Sequence, residues 1–152
     1  MQFPYKEWHQ NDFTIHTDVK RMDVEAIHRM ISSAYWAKGR SLQTVKETLE
    51  HSLCFGLFQR EKQIGFARVI TDQTTFAYLC DVIIAEEYRG QGLGKWFMDC
   101  IMDHPVLRKG MPMLLATLDA HGLYAKYGFK PLPHPEHYMK KESKKRGRGR
   151  LE

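Results

Sequence analysis

The residues best placed to do chemistry are Tyr88-Arg89-Gly90-Gln91-Gly92-Leu93-Gly94-Lys95, a glycine-rich stretch between two apolar segments. Before it, Phe76 to Ala85 reads as a strand of Phe, Tyr, Cys, Val and Ile, with Asp81 its one charge before the turn. After it, Leu93, Trp96, Phe97, Cys100 and Ile101 recur on one face of a helix that Pro105 closes. A glycine turn entering a helix offers unpaired backbone N–H groups at the positive end of the helix dipole. That arrangement binds phosphate or pyrophosphate. Two common phosphate loops are excluded. A dinucleotide fingerprint needs glycine at Lys95, and a P-loop needs glycine at Arg89 and Ser or Thr at Trp96.

The form that fits is Arg/Gln-x-x-Gly-x-Gly/Ala, met by Arg89, Gly92 and Gly94. A second segment supports it. Met111 to Leu118 reads as another strand, Asp119 as the cap of a short helix, and Gly128 as its left-handed end. The Arg-x-x-Gly-x-Gly turn, its lead-in Ile84-Ala85-Glu86-Glu87-Tyr88 and the later Leu123-Tyr124-Ala125-Lys126-Tyr127-Gly128-Phe129 together resemble the GNAT superfamily of acetyl-coenzyme A dependent N-acetyltransferases. The resemblance runs from about residue 10 to 139, and its specific part is 81–129. Glu86 departs from the proline many members carry, which alters the stiffness of the turn more than its chemistry. The asparagine often found ahead of the tyrosine is also missing, with Thr117 and Asp119 in its vicinity.

The resemblance implies an α/β (α+β) fold: a mixed, mostly antiparallel sheet, flanked by helices and splayed between the fourth and fifth strands to admit acetyl-coenzyme A. It implies that the backbone of Val82, Ile83 and Ile84 holds the pantetheine arm and supplies donors to the oxyanion. The pyrophosphate is then expected on the amides of Gly90, Gln91, Gly92, Leu93, Gly94 and Lys95, with the charges of Arg89 and Lys95 nearby. Tyr124 falls at the family's recurring tyrosine. A phenol with an ordinary pKa near 10 keeps its proton until a thiolate develops, which suits a general acid.

Asp81 is the second catalytic candidate. A carboxylate inside an apolar strand costs free energy unless it is paired or used. Simple alternation puts it on one face with Leu79 and Ile83. Two readings stay open: an anchor or base for the acceptor amine, or an ion pair with Arg68 on the neighbouring strand. Arg68, Tyr78, Tyr35 and Trp36 are the expected acceptor-site residues, the last two from the loop Tyr35 to Arg40. Tyr78 lies near the place of the catalytic glutamate in protein-acetylating members, a departure that points away from their mechanism. His121 reads as a helix-surface histidine, and His134-Pro135-Glu136-His137 lacks a convincing third ligand, so no metal is expected.

The remaining elements must position these groups. Phe13 to Thr17 reads as a first strand, and Val24, Ile27, Met30 and Ile31 as the core stripe of a first helix. Ser41 caps a second helix running to about His51. Leu53–Gln59 and Gln63–Ile70 form a hairpin around Arg60 to Lys62. The order is β-α-α-β-β-β-α-β-α-β, in one expected domain over 1–139. Lys140 to Glu152 hold seven Lys and Arg against two Glu, so this tail carries the whole net charge of +5 and the remainder is formally neutral. It is expected to be a solvated, disordered tail and gives the only compositional basis for nucleic-acid binding. The 152 residues, 43% of them hydrophobic, suffice for a core without disulfides. Cys54, Cys80 and Cys100 sit in apolar segments as expected buried, reduced thiols, and no apolar run has membrane-spanning length. A cytoplasmic, soluble enzyme acting on a small primary amine is the expectation. The alternatives are acetylation of a protein lysine or N-terminus, and a coenzyme A-binding module without turnover. Homodimerisation is left open.

Overall fold

The structure, a computed structural model, describes residues 3–34 and 39–143. It divides into two compact units, Met1–Leu115 and Ala116–Glu152. The first holds a six-stranded sheet whose spatial order equals the chain order: β1 (Glu7–Gln10), β2 (Phe13–His16), β3 (Leu53–Gln59), β4 (Lys62–Thr71), β5 (Ala77–Ile84) and β6 (Met113–Leu114). The first four pairings are antiparallel and β5–β6 is parallel. A parallel step needs a crossover, and α3 (Leu93–Asp103) supplies it. Helices α1 (Val24–Ser32) and α2 (Leu42–His51) lie between β2 and β3 in the chain.

Local chemistry explains the helix starts. Asp23 accepts from the Ala26 N–H at 3.0 Å and Ser41 from the Thr44 N–H at 3.0 Å, each replacing a backbone partner the first turn lacks. Ile27 and Ile31 of α1 and Val45 and Leu49 of α2 then pack with Cys54, Phe58, Phe66 and Ile83 of the sheet. Each such burial of a large aliphatic side chain contributes about 1.5–3 kcal/mol. On the opposite face, Phe55 meets Trp8, ring to ring at 6.2 Å, and His104, just past α3, at 5.6 Å.

Several sequence expectations are adjusted. A strand precedes Phe13: β1 is short, polar and mostly exposed, so hydrophobicity does not mark it, although Asn11 in the left-handed conformation (φ 56°) makes the turn. With β1 counted, the splay lies between β5 and β6. Only Ala77↔Met113 and Tyr78↔Leu114 pair there, and β5 from Leu79 onward has no strand on that side among the described residues. The strand read over Met111–Leu118 shortens to two residues.

In the second unit, α4 (His121–Ala125) starts at Ala120 without a side-chain cap, in place of Asp119. Thr117 Oγ1 accepts from the Ala120 N–H at 3.1 Å. Gly128 (φ 93°) does close the helix, with the Phe129 N–H donating to the Tyr124 carbonyl at 3.3 Å. The strand expected after it does not form among the described residues. Pro131, Pro133 and Pro135 lack the N–H a ladder requires.

Candidate active site

The site begins with a fault in β5. Arg68 stands opposite Cys80 and Phe66 opposite Ile83, so two residues of β5, Asp81 and Val82, face the single residue Ala67. This is a β-bulge, and Asp81 takes φ 53° to make it. The extra residue also resets the faces. Ile83 joins Cys80 and Phe66 on the α1–α2 side, while Leu79, opposite Val69, stays on the other. Simple alternation across Asp81 therefore fails: Leu79 and Ile83 do not share a face.

The Asp81 side chain is 1% exposed and held by two cations. Arg68 Nε and Arg40 Nη1 both donate to its Oδ2 at 2.8 Å, and Arg68 Nη1 donates to Ser52 Oγ at 3.1 Å. Burial pushes the Asp81 carboxyl up, but the charges and hydrogen bonds of Arg68 and Arg40 outweigh it and hold the group below its ordinary value. The ion pair with Arg68 is thus present, and Arg40 extends it. Arg40 escaped the sequence reading because it sits in a loop 41 positions from its partner. Its neighbours hint at a fixed place: Gly39 is left-handed (φ 92°), Ser41 is the α2 cap, and His28 Nε2 of α1 lies 2.9 Å from the Arg40 carbonyl.

Register places Arg68, Ile70, Tyr78 and Cys80 together on one face, Ile70 opposite Tyr78 and Arg68 opposite Cys80. Tyr78 and Cys80 are half-buried and Ile70 exposed. Burial pushes the Cys80 thiol up to about 11, and those of Cys54 and Cys100 up to about 12, so none supplies a thiolate at neutral pH. Tyr35 and Trp36 lie outside the described residues, as does the tail from 144 onward.

From Ile84 the chain passes through the turn Glu86–Tyr88 into the glycines. Arg89 folds back, its Nε donating to the Ile84 carbonyl at 2.8 Å, and Tyr88 Oη donates to Gln59 Oε1 at 2.7 Å. Gly90 (φ 80°) and Gly92 (φ 83°) are left-handed, and Gly92 starts α3 with no side-chain cap. A Cβ at Gly90 or Gly92 would meet nothing within 4 Å, and one at Gly94 only Ile84 Cδ1 at 3.8 Å. The turn is an open cradle of backbone donors facing the first turn of α3. Lys95 sits on that turn with Asp99 Oδ2 3.5 Å from its Nζ. A pyrophosphate fits this donor set.

Residues 50–131 match the model of the GNAT acetyltransferase domain. The chain belongs to the GNAT acetyltransferase family. A candidate acetyltransferase of the fungus Gibberella zeae is 30% identical over 145 residues, covering 80% of each chain. The crystal structure of a candidate GNAT acetyltransferase from Xanthomonas campestris pv. campestris is 45% identical, with TM-score 0.83 over 88% of this chain and 95% of its own. A GNAT acetyltransferase from Elizabethkingia anophelis, crystallised with acetyl-coenzyme A bound, shares the fold at TM-score 0.59 and 17% identity over 86% and 88% of the two chains. As a GNAT member the protein is an acyltransferase that uses acetyl-coenzyme A and requires an acceptor.

In the second unit Tyr124 is half-buried, its ring edge-on to Phe129 at 6.0 Å. His121 is exposed on α4. His134, Glu136 and His137, all exposed, bring their ligand atoms within 4.8 Å of one another, so Glu136 supplies the third side chain that spacing alone did not single out. Among the described residues no helix is long and apolar enough to cross a membrane.

Proposed function

We propose that this GNAT enzyme acetylates a small primary amine, with the bulged backbone of β5 polarising the acetyl group and Tyr124 protonating the leaving thiolate. Acetyl-coenzyme A supplies the activated acetyl group when bound. Gly90 to Lys95 take its pyrophosphate on backbone amides, and Arg89, braced against Ile84, stiffens the turn and adds charge. Val82 to Ile84 offer backbone hydrogen bonds to the pantetheine arm along the strand edge that β6 leaves uncovered. A backbone donor fixed at the bulge meets the acetyl oxygen as it gains charge, with no reorganisation required. The observation that carries this reading is the bulge itself, beside an edge that has no strand partner among the described residues.

Asp81 serves as the anchor of that bulge. Two guanidinium groups occupy its carboxylate, which makes it a poor proton acceptor at neutral pH. The acceptor amine lies on the face that carries Arg68, Ile70 and Tyr78. Tyr124 holds its proton until the thiolate forms. The enzyme's setting is the reducing cytoplasm, where its three cysteines stay free.

The test is thiol release from acetyl-coenzyme A across small amines and alanine-initiated peptides. Turnover on a small amine is expected, with kcat falling about 10²- to 10⁴-fold in Tyr124→Phe. An unchanged kcat in that variant removes the acid role, and a strong preference for peptides overturns the small-acceptor reading.

A further inference from the structure

We propose that the acceptor carries a carboxylate as well as its amine, and that Arg40 and Arg68 recognise it. The proposal rests on the acetyl-transfer reading above and names the class of amine. Its basis is a mismatch of charge and of hydrogen bonds in a sheltered place. Two guanidinium groups, 14% and 11% exposed at their side chains, share one carboxylate. Among the described residues Asp81 is the only carboxylate paired with either. Among the described residues, two positive charges there meet one negative charge.

The donors tell the same story. Both arginines spend a single N–H on the same oxygen, Asp81 Oδ2, so neither forms the two-pronged pair that guanidinium and carboxylate favour. Among the described residues, Arg68 has one further bond, to Ser52, and Arg40 has none from its side chain. Among the described residues no buried side-chain nitrogen lacks a partner. The unused guanidinium nitrogens therefore reach solvent, where a ligand oxygen can meet them. A net charge of one matches a monoanion better than a phosphate dianion.

Placement supplies the rest. Arg68 lies on one face with Tyr78 and the exposed Ile70. Asp81 adjoins Val82 in the bulge where acetyl transfer is read. An amine with a short apolar body can then lie over Ile70 and Tyr78 with its carboxylate toward the arginines. The same excess of positive charge disfavours an ammonium and so favours the neutral amine that attacks. Asp81 need not remove the proton.

Matched acceptors test this: 4-aminobutyrate against butylamine, and phenylalanine against phenethylamine. Each carboxylate-bearing member should show a kcat/KM about 10- to 100-fold above its partner, the worth of a charge-assisted pair. Arg40→Gln should bring that ratio close to one through KM, and Arg40→Lys should recover part of it. A second readout needs no turnover: 3-phenylpropionate should bind the coenzyme A complex by calorimetry and lose affinity about 10-fold in Arg40→Gln. If Arg40→Gln fails to fold, Arg40→Lys and the wild-type ratios decide. Equal turnover of both members overturns the carboxylate assignment and leaves acetyl transfer intact. If no amine turns over, the acetyl-transfer reading fails, and 3-phenylpropionate binding still decides whether the arginines hold a carboxylate.

Discussion

Two backbone positions on the same passage from β5 to α3 adopt the left-handed conformation, and they do so for different reasons. Gly92 takes φ 83° where nothing crowds it, because glycine has no Cβ to object. Asp81 takes φ 53° in a buried strand although it has a Cβ. An L-residue there costs about 1–2 kcal/mol, and Arg40 and Arg68, gripping its carboxylate, offset that cost. One conformation is written locally in the residue type. The other is imposed by partners 41 and 13 positions away. The glycine turn is thus a fixed cradle that needs little from the rest of the fold, whereas the bulge exists only once the sheet and the α1–α2 loop have come together.

The sharpest way to break this contrast is to remove the Asp81 carboxylate. Asp81→Ala leaves two sheltered guanidinium groups without their anion and should cost about 3 kcal/mol or more, lowering Tm by roughly 10 °C in denaturation scans. Asp81→Gly restores backbone freedom but not charge, so it should recover about 1–2 kcal/mol of that loss. Equal stability of the two variants would show that the left-handed backbone carries no strain.

The turn should behave the opposite way. Gly92→Val forces a β-branched residue to φ 83° and should weaken coenzyme A binding about tenfold by calorimetry, from a strain of about 1–2 kcal/mol. Gly92→Asn should weaken it less, since asparagine tolerates that region. Both effects should appear chiefly in binding, because the turn is exposed and packs against little.

A smaller effect concerns the buried histidines. The Val106 N–H donates to His104 Nδ1 at 3.1 Å, so Nε2 carries the hydrogen given to the Pro4 carbonyl at 2.9 Å. The Asp18 N–H likewise donates to His16 Nδ1 at 3.1 Å. Burial lowers both pKa values, aided at His16 by Arg21 and opposed at His104 by the Pro4 bond. The unfolded chain therefore takes up protons first. Stability should be complete above about pH 6.5 and fall as the pH drops below it. Scans at pH 7.5 and 5.5 should show that slope, and His104→Gln should flatten it.

Legibility in the sequence follows the same division. The glycine turn, the cap at Ser41 and Asp81's need for a partner are legible because each rests on one residue type in one local setting. The bulge is not, since nothing at Cys80-Asp81-Val82 announces an extra residue, and without it alternation places Ile83 on the wrong face. Arg40 is not legible as a partner for the same reason: only the folded α1–α2 loop brings it to Asp81. The edge strand β1 is not legible because its exposed polar residues pair through backbone alone.

The most direct test of the central claim, that the glycine cradle and the bulged edge together hold acetyl-coenzyme A, is amide NMR of the labelled protein titrated with coenzyme A. The largest shifts should fall on Gly90 to Lys95 and on Val82 to Ile84. Saturable binding that leaves both sets of amides unmoved would contradict it.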